Sequence, residues 1–279
     1  MKSLQRLWST LCPAFGLFGV VALLLLDSGC ANLGAVRDFA LEAGSLSAHR
    51  GVSDDLVATK RRLYAYASKE PGPDSLEKSQ ELSKKFDQTQ QSLVQYMAAL
   101  ASLADNDLAS FKKEIDAAGV AAGNAKLLPG TEAGLFAAAG NLVAQALTDR
   151  ARQRLLREVI RKTDPAIQQT TAGLAALVRK QYFSSLDIEQ QGAEEFVTEI
   201  KLEKIAGLSR LTDFLMRDEL QRVARQKESG EAYAKALDKI GEAHARLARE
   251  IGDFTAKEFV AQLKDYGDEL KALHNQLKN

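Results

Sequence analysis

Cysteine and proline are scarce, and neither sign of charge is in excess. Two cysteines in 279 residues cannot build a disulfide-dense scaffold. Five prolines exclude a proline-rich or collagen-like chain. The 37 Lys and Arg residues stand against 37 Asp and Glu, so the basic footprint of a nucleic-acid binder is missing and no nucleic-acid partner is expected. The chain is nonetheless 46% hydrophobic, too apolar to stay disordered. Its length suits one elongated domain or two ordinary ones.

Catalytic constellations are also lacking. His49, His244 and His274 are the only histidines, and no HExxH or paired ExxH occurs, as a metal site in a helix bundle would need. Glu195, Glu199 and Glu203 share a helix face, but Lys201 and Lys204 lie beside them, which reads as a solvated face. Phosphate loops of the GxxxxGK[ST] or GxGxxG kind are missing. Ser75-Leu-Glu-Lys78 and Ser110-Phe-Lys-Lys113 resemble the SxxK nucleophile motif of penicillin-recognising enzymes, without the SDN and KTG that accompany it. The expectation is a protein that is not an enzyme and holds no cofactor and no metal. The alternative is a hydrolase acting through Ser75 or Ser110.

The first thirty residues carry the clearest signal. Lys2 and Arg6 precede thirteen residues without a polar side chain, Ala14 to Leu26, and the small Ser28 and Gly29 lead into Cys30. This end resembles the lipobox of bacterial lipoproteins, with Asp27 where a leucine is usual and Leu26 one place further back. The resemblance implies a signal peptide over 1–29 and acylation of Cys30, which would make the membrane a partner through an N-terminal lipid anchor. Multiple acyl chains anchor stably where one is marginal. Removing the signal takes Cys12 with it and leaves Cys30 as a lone cysteine, which acylation accounts for. Ala31 and Asn32 lack the aspartate associated with inner-membrane retention, so the resemblance implies the periplasmic face of the outer membrane. Two other readings stay open: an uncleaved inner-membrane anchor over residues 7–26, long enough to span, and an ordinary cleaved signal with Cys30 unmodified.

Past the signal, residues 30–279 read as a single all-α domain, an elongated up-and-down bundle of long antiparallel helices (74–279) with shorter N-terminal helices (30–72). Pro71, Pro73, Pro129 and Pro165 fall where helical patterns stop, and the segments between are rich in strong helix formers. Asp74-Ser-Leu-Glu77 fits a capping box, and Asp164-Pro165 an N-cap followed by proline at the first helical position. Apolar residues step by three, four or seven from Leu82 to Ile115 and from Ile240 to Leu277. The pattern predicts single rods over 75–118 and 231–276, a break at Ser229-Gly230, and one helix or two over 165–228. The shorter segments 32–50 and 53–69 are expected across one end of the bundle or along its side.

Two segments stand out as interaction surfaces. Arg150, Arg154, Arg157 and Arg161 form a stripe at helical spacing, and residues 149–162 hold six basic and two acidic side chains. The stripe suits anionic lipid headgroups, lipopolysaccharide phosphate or an acidic envelope protein. As a solvated face it would pair with acids on the next helix, such as the Glu194–Glu203 run. Residues 117–147 carry only Lys126 and Glu132 as charges, and read as a helical hairpin with an apolar tip formed by Leu127, Leu128, Pro129, Leu135 and Phe136. It resembles the tips of α-helical pore formers in pattern, though fifteen helical residues fall short of a bilayer core, and burial in the bundle is the competing reading. The expected function is a structural or envelope-interaction role; the alternative is a membrane-active protein inserting this hairpin. The oligomeric state is left open.

Overall fold

The computed structural model describes residues 33–67, 72–126, 132–142, 149–202, 208–250 and 257–278. Helices supply all the regular structure among them. Helix α1 covers 33–47, followed by α2 (Gly51–Tyr66), α3 (Pro73–Ala104), α4 (Leu108–Ala125) and α5 (Glu132–Gly140). Then come α6 (Asp149–Leu177), a π turn (Val178–Tyr182), α7 (Phe183–Leu202), α8 (Leu208–Glu250) and α9 (Lys257–Lys278). The all-α bundle expected from composition is the observed fold. At 1.5 Å per residue the 43-residue α8 is about 65 Å long.

Cross-helix contacts fix the arrangement. Helices α1 and α2 run along α3 in the opposite sense: Arg37 meets Asp105 at 3.3 Å, Arg50 meets Asp87 at 2.6 Å, and Tyr64 bonds Ser75 at 2.8 Å. Helices α6 and α7 form one continuous rod along α8, also antiparallel, from Asp164–His244 (2.8 Å) through Arg179–Glu231 (3.0 Å) to Lys201–Asp213 (2.6 Å). Helix α9 folds back on α8 through Lys239–Glu269, at 3.1 Å. One apolar core joins these elements, from Phe39 and Leu93 to Leu156, Leu237 and Leu270.

Several predicted boundaries move, each for a local physical reason. The rod over 75–118 is two helices. Asn106 adopts the left-handed conformation (φ 67°), and Asp107 caps α4 by accepting from the Ser110 amide at 2.9 Å. Helix α4 therefore folds back on α3. The capping box at Asp74 is not the start of α3; the helix begins at Pro73, where a missing N–H costs nothing. Helix α6 runs through Asp164-Pro165, because both flanks of the proline are held: Thr163 and Ala166 are buried, and Asp164 is bonded to His244. Ser229-Gly230 is not a break either. The missing Cβ of Gly230 would sit 2.8 Å from the Phe183 ring, so glycine there admits the π turn against α8. The rod over 231–276 is instead the end of α8 and the separate helix α9. Over 165–202 the backbone is helical throughout, with the π turn as its one departure among the described residues. Ser184-Ser-Leu-Asp187 starts nothing new.

Candidate functional site

Cys30 with residues 1–29, read as a signal from the sequence, and Leu127, Leu128 and Pro129 lie outside the described residues, as does the side chain of Arg150. The arms of the apolar hairpin do fold together: the Cβ that Gly119 lacks would lie 3.6 Å from the Phe136 Cβ, and that of Gly123 3.7 Å from the Ala133 Cβ. Phe136 is not at an exposed tip. It is fully buried with its ring 5.5 Å from that of Tyr96, and Leu135 is packed against the same core. Among the described residues no helix is long and apolar enough to cross a membrane.

The serines of the two SxxK patterns have local structural partners. The Ser75 hydroxyl bonds Tyr64 and the Gly72 carbonyl, while that of Ser110 donates to Asp107 at 2.6 Å. Each serves the first turn of its helix.

Arg154 and Arg161 are exposed on α6, with Arg157 half-buried between them. Together with Glu158 and Lys162 they line an open depression of about 540 Å³. The carboxylates expected to neutralise them are elsewhere. Glu194, Glu195 and Glu199 sit on α7, some forty residues along the same rod, or about 60 Å away.

Two buried polar clusters, unread in the sequence, lie between the helices. In the first, the His244 imidazole is fully buried. Its Nδ1–H donates to Asp164 at 2.8 Å, and its Nε2 accepts from the Tyr96 hydroxyl at 2.6 Å. Thr163 bonds the same hydroxyl at 2.8 Å. Burial drives the imidazole pKa below its usual value and outweighs the pull of Asp164, so a neutral ring ties α3, α6 and α8 together.

The second cluster is ionic. Glu189 of α7 is fully buried, gripped by Arg62 of α2 and, at 2.6 Å, by Arg222 of α8. Arg62 also holds Asp55 at 2.7 Å, and Arg222 holds Glu219 at 2.6 Å. Tyr182, in the π turn, donates to Asp55 at 2.8 Å. Burial raises the pKa of Glu189 against the opposing pull of both guanidiniums. Burial also works to raise Glu219, but its bonds with Arg222 and Tyr66 prevail and hold it below the usual carboxylate range. Both clusters fasten helices.

Beyond the ionic cluster the α7–α8 hairpin ends in a groove of about 340 Å³. Phe196, Val197 and Ile200 form one wall, Leu211, Leu215 and Met216 the other, with Tyr66 and Glu219 at its inner end. Around it Leu202 is 75% exposed and Phe214 66%. Pockets that hold apolar ligands or side chains have this size and makeup. The signal in the sequence was Leu208, Leu211 and Leu215 next to Phe214, more apolar positions than one buried stripe uses. No family model, no curated protein and no solved structure matches this chain.

Proposed function

We propose that the chain is a lipid-anchored interaction protein of the bacterial envelope, tethered through Cys30 to the periplasmic face of the outer membrane. It presents the far end of its α7–α8 hairpin to a protein partner. The observation that carries the interaction role is the exposure of Leu211 and Leu215 on the wall of one apolar groove, with Leu202 and Phe214 exposed on the same two helices. Exposed apolar side chains gathered at one end of a hairpin mark a contact surface.

Its position supports the reading. Helix α1 starts at residue 33, level with Asp105, at the opposite end of the bundle from this groove. Three residues of chain reach no more than about 10 Å, so a lipid anchor at Cys30 would tether that end of the bundle. Anchor and groove are then separated by roughly the 65 Å length of α8. The protein acts as a strut, with no catalysis and no cofactor.

Two measurements test this. Palmitate labelling of the wild type and of Cys30→Ser, with fractionation, is expected to label only the wild type, in the outer-membrane fraction. Unlabelled full-length protein held in the inner membrane overturns the anchor. A photo-crosslinking residue placed at Phe214 is expected to give a discrete adduct in cells. Val120, equally exposed at 66%, is the control. Identical adduct patterns from the two positions overturn the working surface.

A further inference from the structure

The outward face of the α6–α7 rod carries opposite charge at its two ends. Near the start, Arg154, Arg161 and Lys162 are exposed, and no described carboxylate is ion-paired with any of them; Arg161 reaches only the Ala248 carbonyl, at 3.4 Å. Toward the far end, Glu194, Glu195 and Glu199 are exposed. Glu194 and Glu195 accept from Gln190 and Gln191 of their own helix, and no described cation is ion-paired with the three. Between the two blocks the exposed positions include Pro165, Ala172 and Ala176, which are small and uncharged, and Lys180 one turn beyond them.

The π turn keeps these blocks on one side. At 100° per residue Glu195 would stand about 140° around the helix from Arg154. One extra residue in a wide turn takes off about 100° and leaves it about 40° away. The turn is fixed by Tyr182 to Asp55 and by Arg179 to Glu231 and Asp238, so the alignment is built into the bundle.

We propose that this face pairs with the same face of a second copy, antiparallel, about a two-fold axis at Ala176. That residue lies midway between the blocks, so the rotation lays the basic block of each copy, still net positive with the exposed Glu158 inside it, along the glutamates of the other. The small central side chains permit close approach, and Ile188, 48% exposed, falls on the partner copy's Pro165. A single closed pairing satisfies both charged blocks at once, as an isologous interface does. The charges cannot meet within one chain, because one rigid rod holds them about 55 Å apart. The inference is independent of the lipid anchor.

Its test uses the full chain with Cys12→Ser and Cys30→Ser, so that the fate of the anchor plays no part. Ala176→Cys is expected to form a disulfide-linked dimer under mild oxidation, and Val120→Cys is not. Sedimentation without oxidant is expected to show a dimer. Arg154→Glu with Arg161→Glu should raise its dissociation constant at least about tenfold, and adding Glu195→Arg with Glu199→Arg should restore it. A monomer at all salt concentrations overturns the proposal, as does a cross-link at Ala176 no faster than at Val120. Binding of that monomer to phosphatidylglycerol vesicles, abolished by Arg154→Glu with Arg161→Glu, would assign the arginines to lipid instead.

Discussion

Two hairpins of this molecule invert what their sequences suggest. From residue 117 on, the α4–α5 arms carry only Lys126 and Glu132 as charges, yet Phe136 is fully buried, as are Phe111 and Ile115 at the charged start of α4, while Val120 stays exposed. The α7–α8 arms are rich in Glu, Asp, Lys and Arg, yet expose leucines and a phenylalanine. What differs is the company each keeps. Helices α3 and α6 cover the apolar faces of α4 and α5. Past Tyr66, where α2 ends, α7 and α8 have only each other among the described residues. An apolar run therefore reports burial only where a third element is available to cover it.

The sharpest way to break this contrast is a matched pair. Phe136→Ala should cost about 3–5 kcal/mol, as large deletions in a packed core do. Phe214→Ala should stay within about 0.5 kcal/mol, the usual range for an exposed site. Urea denaturation of both variants measures the difference, and equal losses would mean that the α7–α8 end is covered in the free protein. Glu189→Ala follows in size. It removes the buried carboxylate that both guanidiniums share; Arg62 keeps Asp55 and Arg222 keeps Glu219, so the cost is that of the lost charge-assisted hydrogen bonds, about 1–3 kcal/mol. A loss under 1 kcal/mol would show that the two guanidiniums find water instead.

Much of the bundle was legible because it rests on periodicity. Phe86, Leu93, Met97 and Leu100 step along one face and are all buried. Punctuation was less dependable. Pro165 and Gly230 look like breaks, but the packing around Asp164 and the Phe183 ring holds the helix through them. The turn at Asp105-Asn106-Asp107 had a signal in its left-handed asparagine and capping aspartate, hidden by the continuous stripe from Leu100 to Phe111. The ionic cluster was half-visible: Leu186, Glu189, Ala193 and Phe196 share a face, which puts a carboxylate where an apolar side chain belongs. Its partner Arg62 is 127 positions away in the chain, and no local pattern connects them. Of the interaction surfaces, the arginine stripe was readable from spacing, while the exposed groove depends on which neighbours are present.

A smaller effect separates the two ways a helical glycine is used. Gly230→Ala gains helix propensity of about 1 kcal/mol. Its new methyl would meet the Phe183 ring at 2.8 Å and the Tyr182 ring at 3.3 Å, and Tyr182 is pinned by Asp55 and Gln226. Overpacking costs about 1–3 kcal/mol, so the net change should be destabilising, by about 1 kcal/mol. A rise in melting temperature would show that the π turn can move away from α8.

Acid should loosen the α6–α8 contact in a defined window. The folded pKa of His244 is depressed by burial, so the unfolded chain binds its proton first. Stability is then full above the ordinary histidine value of about 6.5 and falls as pH drops through it, by at most about 1.4 kcal/mol per pH unit for one histidine. Asp164 acts in the same sense at lower pH: burial would raise its pKa, but the bond to His244 prevails and holds it down. Its contribution is lost as pH falls below the ordinary carboxylate range. His49, depressed chiefly by burial, adds to the first step. Denaturation curves from pH 8 to 5 should show this slope, reduced in His244→Gln; a flat profile would mean that the buried ring carries its proton.

The mildest prediction returns to α4–α5. Gly134 is the third residue of α5, and a methyl there would meet nothing within 4 Å. Alanine at this position restricts the unfolded chain and favours the helix, at no cost in packing. Gly134→Ala should therefore stabilise by about 0.5–1 kcal/mol, a rise of a few degrees at most in a chain of this size. The sign matters more than the size. The same substitution is favourable at Gly134 and unfavourable at Gly230, although both residues lie inside helices. Only the distance to a neighbouring ring differs, as with the apolar runs of the two hairpins.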